Sequence, residues 1–246
     1  MRKIGFAPIV LLALLASCNK AAVVEPIPAY KLVGSGPIVI VLSTTIAESL
    51  ATSGPYEYVT RLNAAGYSAL SMDLPCEGAN ADHSSRAVLD DPLYCWAVRI
   101  AKGDWDMFAN FCSGLSDVLD ALNRPVAGII GRSRGAYIAS TCAAYDGRIE
   151  NLGLIIAVTD LNYLSEFSTL PVNQSEFGLQ RLYPELRHKH ILVRIGRDDT
   201  RVGTANAVAF ADSVGATLQL GRGREHAYLD DVAFADSVGA TLQLLA

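Results

Sequence analysis

Residues 126–135 read VAGIIGRSRG, and this stretch decides the fold. Its apolar first half predicts a buried strand, Val126–Ile130, and the residues after it predict a helix from Gly135 to Tyr145. The G-x-S-x-G pattern at 131–135 therefore stands at a strand–turn–helix junction, the setting of a nucleophile elbow. Such a turn holds the serine hydroxyl above the sheet, with a helix N-terminus behind it that favours negative charge. We predict Ser133 as a nucleophile; the alternative is a Gly/Ser turn that only links strand to helix.

A serine hydroxyl is a poor nucleophile without a base, and the base needs an orienting acid. His188 and His190 precede the predicted strand Ile191–Ile195, whereas sites on parallel sheets form at the carboxyl ends of strands. Those two histidines are therefore predicted to be surface residues. His226 follows the last predicted strand by a short loop and is the predicted base.

The acid is expected where the strand Ile191–Ile195 ends. Asp198 and Asp199 stand there, and because they are adjacent their side chains point in different directions. At most one of them can face the base, and the other can cap a helix or pair with Arg197 or Arg201.

Strands alternate with helices along the rest of the chain, which predicts an α/β fold with a mostly parallel sheet and helices on both faces. The other predicted strands are Pro37–Leu42, Tyr67–Met72, Leu152–Val158 and Ala216–Leu220. The other predicted helices lie at Tyr58–Ala65, 104–123 and Thr204–Ser213. A long polar loop is predicted from Cys76 to about Pro92.

Composition limits the partners. The 246 residues are enough for one sizeable core, and the net charge of −5 without a basic stripe argues against nucleic acid. No cysteine or histidine pattern has zinc spacing, so neither a metal nor another cofactor is predicted.

The N-terminus predicts export. Residues 1–17 have the basic start and short apolar run of a signal peptide. They end in Leu15-Ala16-Ser17-Cys18, which resembles a bacterial lipobox with Cys18 as the lipidated residue. Residues 18–30 are predicted to tether residues 31–246 to the membrane of the bacterial cell envelope, in the periplasm or at the outer membrane. The alternative is an ordinary secretory signal with an incidental cysteine.

Two features stay open. In an oxidising compartment the remaining cysteines allow three full pairings, and they can equally be free: Cys76, Cys95, Cys112 and Cys142. The string VAFADSVGATLQL at 208–220 recurs at 232–244, through a tandem duplication or a sequence-assembly error. The first copy is expected to form a helix and a strand, and the second a closing helix.

With these motifs the chain resembles the α/β-hydrolase superfamily over nearly all of residues 36–230, in particular its serine-esterase and prolyl-oligopeptidase-like branches. The resemblance rests on Ser133-Arg134-Gly135, on the region 66–75, and on Asp199-x-x-Val202, which is similar to the acid turn of those branches. It implies an eight-stranded sheet, hydrolysis of esters or amides, and a triad of Ser133, Asp199 and His226.

The chain departs from that superfamily in three ways. The chain before Pro37 is short, so the first one or two strands of the sheet can be missing. The usual His-Gly after the first parallel strand is replaced by Ser43-Thr44, so an oxyanion hole would use the backbone N–H groups of Arg134 and of Ser43 or Thr44. Residues 159–190 are too few for a large cap, which predicts a minimal cap and an open site.

Arg132 and Arg134 flank the nucleophile and are candidate substrate-site residues. They either favour anionic acyl or leaving groups, or are solvated or paired with carboxylates such as Asp160. The expected function is a carboxylesterase acting on a small ester. A peptidase acting on short peptides comes second, and the competing class is a non-catalytic binding lipoprotein on a hydrolase scaffold.

Overall fold

The described residues form a seven-stranded sheet in which six strands run parallel. The computed structural model describes residues 27–52, 57–81, 91–168 and 177–221. The strands are Tyr30–Val33 (β1), Ile38–Leu42 (β2), Ser68–Met72 (β3), Val126–Arg132 (β4), Asn151–Ile155 (β5), His190–Gly196 (β6) and Thr217–Gly221 (β7). Their order is β1-β3-β2-β4-β5-β6-β7, and only β1 pairs antiparallel to its neighbour. The β4 strand therefore lies at the centre of the sheet.

Helices cover both faces of this sheet. They are Ile46–Ser49 (α1), Tyr58–Ala64 (α2), Pro92–Ala101 (α3), Met107–Leu122 (α4), Arg134–Tyr145 (α5), Tyr183–Leu186 (α6) and Thr204–Val214 (α7). Alternate residues of β2 belong to different cores, since Ile38, Ile40 and Leu42 face one layer and Val39 and Val41 the other. Burial on both faces explains why β2 is apolar throughout, as parallel strands usually are.

Most predicted elements are confirmed within one to three residues, and the first copy of the repeat forms most of α7 and β7. The sequence missed α3, whose N-cap Asp91 accepts the N–H of Leu93 at 2.9 Å. It also placed Tyr30 at the end of the tether, whereas Tyr30 begins β1 and pairs with Met72 of β3.

One predicted strand was too long. The β5 strand ends at Ile155 rather than Val158, because Ile156 has a positive φ of 46°. The described residues contain seven of the eight strands that the resemblance implies, in keeping with the expectation that one or two strands can be missing.

Two disulfides join the four cysteines whose pairing the sequence could not decide. Cys76 bonds to Cys95, and Cys112 bonds to Cys142. The Cα–Cα distances of 6.1 and 4.9 Å lie in the usual range for disulfides. The first bond ties the chain after β3 to α3, and the second ties α4 to α5.

The predicted signal peptide, Cys18 and most of the tether lie outside the described residues, as do His226 and the second copy of the repeat. Among the helices that the structure does describe, none has the length and hydropathy needed to cross a bilayer.

Candidate active site

Ser133 occupies the turn between β4 and α5 in a strained backbone conformation. Its φ of 52° and ψ of −122° lie in a region that residues with a side chain rarely adopt, at a cost of about 1–3 kcal/mol. Neighbouring backbone holds it there, because its N–H donates to the Ile155 carbonyl at 2.9 Å and its carbonyl accepts the Val158 N–H at 3.2 Å. The predicted elbow is therefore present in the geometry.

The two glycines of the motif are required by close packing. A Cβ built on Gly131 would lie 2.5 Å from the Cα of Ala136. A Cβ built on Gly135 would overlap the carbonyl oxygen of Leu42, at the end of β2. Any side chain at either position would push α5 away from the sheet.

A second strained residue lies at the same edge of the sheet. Ile156 follows β5 with a φ of 46°, which is an outlier for a β-branched residue. Its N–H donates to the Arg194 carbonyl of β6 at 2.7 Å. Backbone strain is therefore concentrated beside Ser133, as is common at functional sites.

Asp199 lies in the turn after β6 with only 2% of its surface exposed, whereas Asp198 is exposed. One oxygen, Oδ1, accepts the N–H groups of Arg201 at 2.9 Å and Val202 at 3.1 Å. Two strand spacings, about 10 Å, separate β4 from β6. Burial and fixed orientation suit Asp199 for the predicted acid, and its predicted partner His226 is not among the described residues.

The end of β2 brings the predicted oxyanion donors to the N-terminus of α5. Ser43 cannot offer its N–H, because that group already donates to Ser49 Oγ at 3.0 Å. Thr44 is held in place by the Leu74 N–H, which donates to its carbonyl at 3.1 Å. The structure therefore corrects the predicted set, leaving the N–H groups of Thr44 and Arg134 as candidates.

The Arg134 side chain forms an ion pair with Glu77. Glu77 is 5% exposed and follows the disulfide-bonded Cys76. Burial raises the pKa of Glu77 above its usual range, although the Arg134 charge opposes that shift. The predicted alternative of a carboxylate partner is thus confirmed for Arg134, with Glu77 in place of Asp160.

Asp160 has a different role, since its Oδ1 accepts the N–H of Asn162 at 2.9 Å and caps a short 3-10 helix. Arg132, the other candidate substrate residue, ends β4 and is half-buried.

A further ion pair supports the acid turn. Both terminal nitrogens of Arg201 bond the two oxygens of Glu166, which is buried in the short segment after β5. Burial alone would raise the pKa of Glu166, but the hydrogen bonds and charge of Arg201, a backbone hydrogen bond and the Ser165 hydroxyl together outweigh it, and the pKa is lowered. Because the Arg201 N–H also bonds Asp199, Glu166 is linked to the predicted acid through one residue.

Sequence reasoning did not find Glu77 or Glu166. A lone glutamate in a polar segment normally lies in solvent, and the arginines that pair with these two are 57 and 35 residues away in the chain. The prediction for His188 and His190 is confirmed, since both are exposed at the start of β6. Across the described ranges, no group of three or more acidic, histidine or cysteine side chains could hold a metal ion.

The sheet order, the strained elbow after β4 and the buried aspartate after β6 define an α/β-hydrolase fold. The chain matches no protein-family model and no curated protein. Its structure is similar to that of a cold-adapted esterase from an Arctic intertidal metagenomic library, with 21% identity, a TM-score of 0.59, and 87% of this chain and 84% of that chain covered.

Two other solved structures share the fold. For acetyl xylan esterase 1 from a Thermoanaerobacterium species the identity is 16%, the TM-score 0.62 and the coverage 88% of this chain and 78% of that one. For dipeptidyl peptidase 4 from Porphyromonas gingivalis the identity is 12% and the TM-score 0.61, with 87% of this chain and 33% of that chain covered. At these identities the likeness establishes the fold and leaves the activity to the site.

Proposed function

We propose that the protein is a serine hydrolase that cleaves carboxylic esters through an acyl-enzyme on Ser133. The observation that carries the proposal is the strained conformation of Ser133 at the junction of β4 and α5. Strain of this kind costs stability and is retained where a nucleophile must be presented. The buried Asp199 at the end of β6, two strands away from β4, supports the same proposal.

The reaction begins when His226 takes the proton of the Ser133 hydroxyl while Oγ attacks the ester carbonyl carbon. Asp199 holds the imidazole and stabilises its charged form. The backbone N–H groups of Arg134 and Thr44 donate to the oxyanion that develops. The tetrahedral intermediate collapses, the alcohol leaves with the proton from His226, and the acyl group stays on Ser133. Water, deprotonated by His226, then releases the acid and restores the serine.

An ester substrate is favoured over a peptide because little chain is available to cover the site. Between β5 and β6 the described residues form only short 3-10 helices and the four-residue α6. An open site suits compact esters. A peptidase acting on short peptides remains the second candidate, since the fold is shared with a dipeptidyl peptidase as well as with esterases.

The proposed setting is the bacterial cell envelope, with the protein anchored through a lipid on Cys18. The two disulfides support export, because such bonds persist in oxidising compartments.

The proposal is tested by hydrolysis of short-chain nitrophenyl esters and dipeptide nitroanilides by the purified full chain, the Ser133→Ala variant and a Ser113→Ala control. Ser113 is exposed on α4, so its loss should change nothing. We expect ester cleavage that Ser133→Ala abolishes. Cleavage of nitroanilides alone would favour the peptidase, and no Ser133-dependent cleavage would favour a binding lipoprotein.

A further inference from the structure

A cavity of about 300 Å³ opens beside α5, and its walls are mostly aromatic. Trp105 and Phe177 stack there with ring centroids 5.7 Å apart and an interplanar angle of 14°. Sites for small molecules usually measure about 300–1,000 Å³, so this one fits a single ring with a short substituent. The lining residues are Ile100, Trp105, Phe108, Tyr137, Phe177 and Arg181.

Two hydrogen-bond donors converge in this apolar cavity. Tyr137 is fully buried, and its hydroxyl makes no hydrogen bond of normal geometry to any described residue. Burial raises the pKa of Tyr137, and both the charge of Arg181 and its side-chain interaction with the hydroxyl oppose that rise, so the guanidinium lies beside the hydroxyl. No carboxylate of the described residues forms an ion pair with Arg181. Because a guanidinium cannot accept the hydroxyl proton, a cation beside this donor is suited to an anion with more than one acceptor oxygen.

One lining residue of the cavity, Tyr137, belongs to the helix that begins directly after the predicted nucleophile. Tyr137 is four residues after Ser133, about one helical turn along α5, and helical side chains lean toward the N-terminus. Phe177, which forms one wall of the cavity, is bonded to the chain that follows β5: the Phe177 carbonyl accepts the Leu161 N–H at 3.3 Å. Just before that point, the Val158 N–H donates to the Ser133 carbonyl.

We propose that this cavity binds an aromatic carboxylate, with the ring against Trp105 and Phe177 and the carboxylate held by Arg181 and the Tyr137 hydroxyl. This inference rests on the proposed function in one respect: it makes the substrate an ester whose acyl or alcohol part carries an aromatic ring and a free carboxylate. The sequence offered Arg132 and Arg134 as one possible source of an anion preference; the proposal gives that role to Arg181, and Arg134 is paired with Glu77.

The test is calorimetric titration of the full-chain Ser133→Ala variant with phenylacetate, and with its neutral counterpart phenylacetamide. Use of the inert variant separates binding from hydrolysis. We expect saturable binding of phenylacetate and binding of phenylacetamide about tenfold weaker or more, because the amide carries no charge for Arg181. Adding Arg181→Gln or Tyr137→Phe should weaken phenylacetate binding about tenfold. Adding Arg187→Gln, at another exposed arginine, should not.

Arg181 is exposed, so its substitution is expected to leave folding intact, and an unchanged melting temperature verifies this. Absence of phenylacetate binding, or equal binding by the Arg181→Gln variant, overturns the proposal. Equal affinity for the acid and the amide also overturns it. Failure of the proposed function would show separately, as a wild-type chain that hydrolyses no ester while Ser133→Ala still binds phenylacetate.

Discussion

Glu77 and Arg134 form a mostly buried ion pair next to the predicted nucleophile, with 5% and 21% of their side chains exposed. Removing one partner leaves the other charge poorly solvated, so Glu77→Gln and Arg134→Gln should each destabilise the fold by about 2 kcal/mol or more. The double variant should lose less than the sum of the two, with a coupling energy of about 1–2 kcal/mol in urea unfolding. The half-exposed pair Arg99–Asp104 is the matched control, with a coupling expected below about 1 kcal/mol. Additive losses at Glu77 and Arg134 would contradict the buried pair.

The contact between Gly135 and Leu42 predicts the effect of a single methyl group. In Gly135→Ala the new Cβ overlaps the Leu42 carbonyl oxygen, so α5 or β2 must move. We expect a loss of about 2 kcal/mol in the free energy of unfolding, together with slower ester hydrolysis because Thr44 follows that strand end. Gly147→Ala, where no atom lies within 4 Å of the added Cβ, should change stability by less than about 0.5 kcal/mol. Equal effects of the two substitutions would show that the close approach does not exist.

The Glu166–Arg201 pair predicts a role in positioning the acid turn. In Glu166→Gln the Arg201 side chain loses its anionic partner, and the Arg201 N–H that bonds Asp199 is held less firmly. We expect kcat for a small ester to fall about tenfold with KM little changed, because the interaction serves the chemical step. The exposed Glu185→Gln is the control. Because the pKa of Glu166 is lowered, the pair contributes above the usual pKa of a glutamate and is lost as the pH falls through the lowered value. A change confined to KM would argue against this role.

The environment of Asp146 predicts how the free energy of unfolding changes at low pH. Asp146 ends α5 on the side away from Ser133 and accepts bonds from Arg148 and from Ser116 Oγ, the latter at 2.7 Å. Burial alone would raise the pKa of Asp146, but these bonds lower it from 3.8 to about 2. Since the folded pKa is depressed, the stabilisation is complete above about pH 4 and is lost as the pH falls to about 2.

Asp146→Asn should therefore cost about 1–2 kcal/mol at neutral pH and flatten the acid limb of a stability–pH curve measured by urea unfolding. Asp120, the other partner of Arg148, is 70% exposed. Asp120→Asn should therefore neither lower stability at neutral pH nor flatten the acid limb. An unaltered acid limb in Asp146→Asn would contradict the lowered pKa.

The fold could be predicted from the sequence because its strands are buried on both faces. Strands such as β2 are continuously apolar, and glycine and proline mark the helix ends. The hydrophobic pattern and the residues that end helices therefore predict the same element boundaries. The prediction failed where tertiary pairing decides the structure. The short β1 strand exists because it pairs with β3, and α3 is fixed in place by the Cys76–Cys95 disulfide.

The site was predictable only as far as local motifs reach. Ser133 and the Asp198-Asp199 turn stand out because each follows a strand. The choice between the two aspartates came from a resemblance, and burial of Asp199 gives it a physical basis. Glu77, Glu166 and the Tyr137–Arg181 cavity could not be found, since each depends on residues that only the fold brings together.

The central claim is an activated Ser133, and labelling of the purified full chain with a fluorophosphonate probe tests it most directly. The labelled peptide, identified by mass spectrometry, should contain Ser133. Labelling should disappear in Ser133→Ala and His226→Ala and slow about a hundredfold or more in Asp199→Asn, in line with the loss of an orienting acid. It should persist in Asp198→Asn, because that side chain is exposed. Absence of labelling in the folded wild-type chain, or labelling that survives Ser133→Ala, would contradict the account.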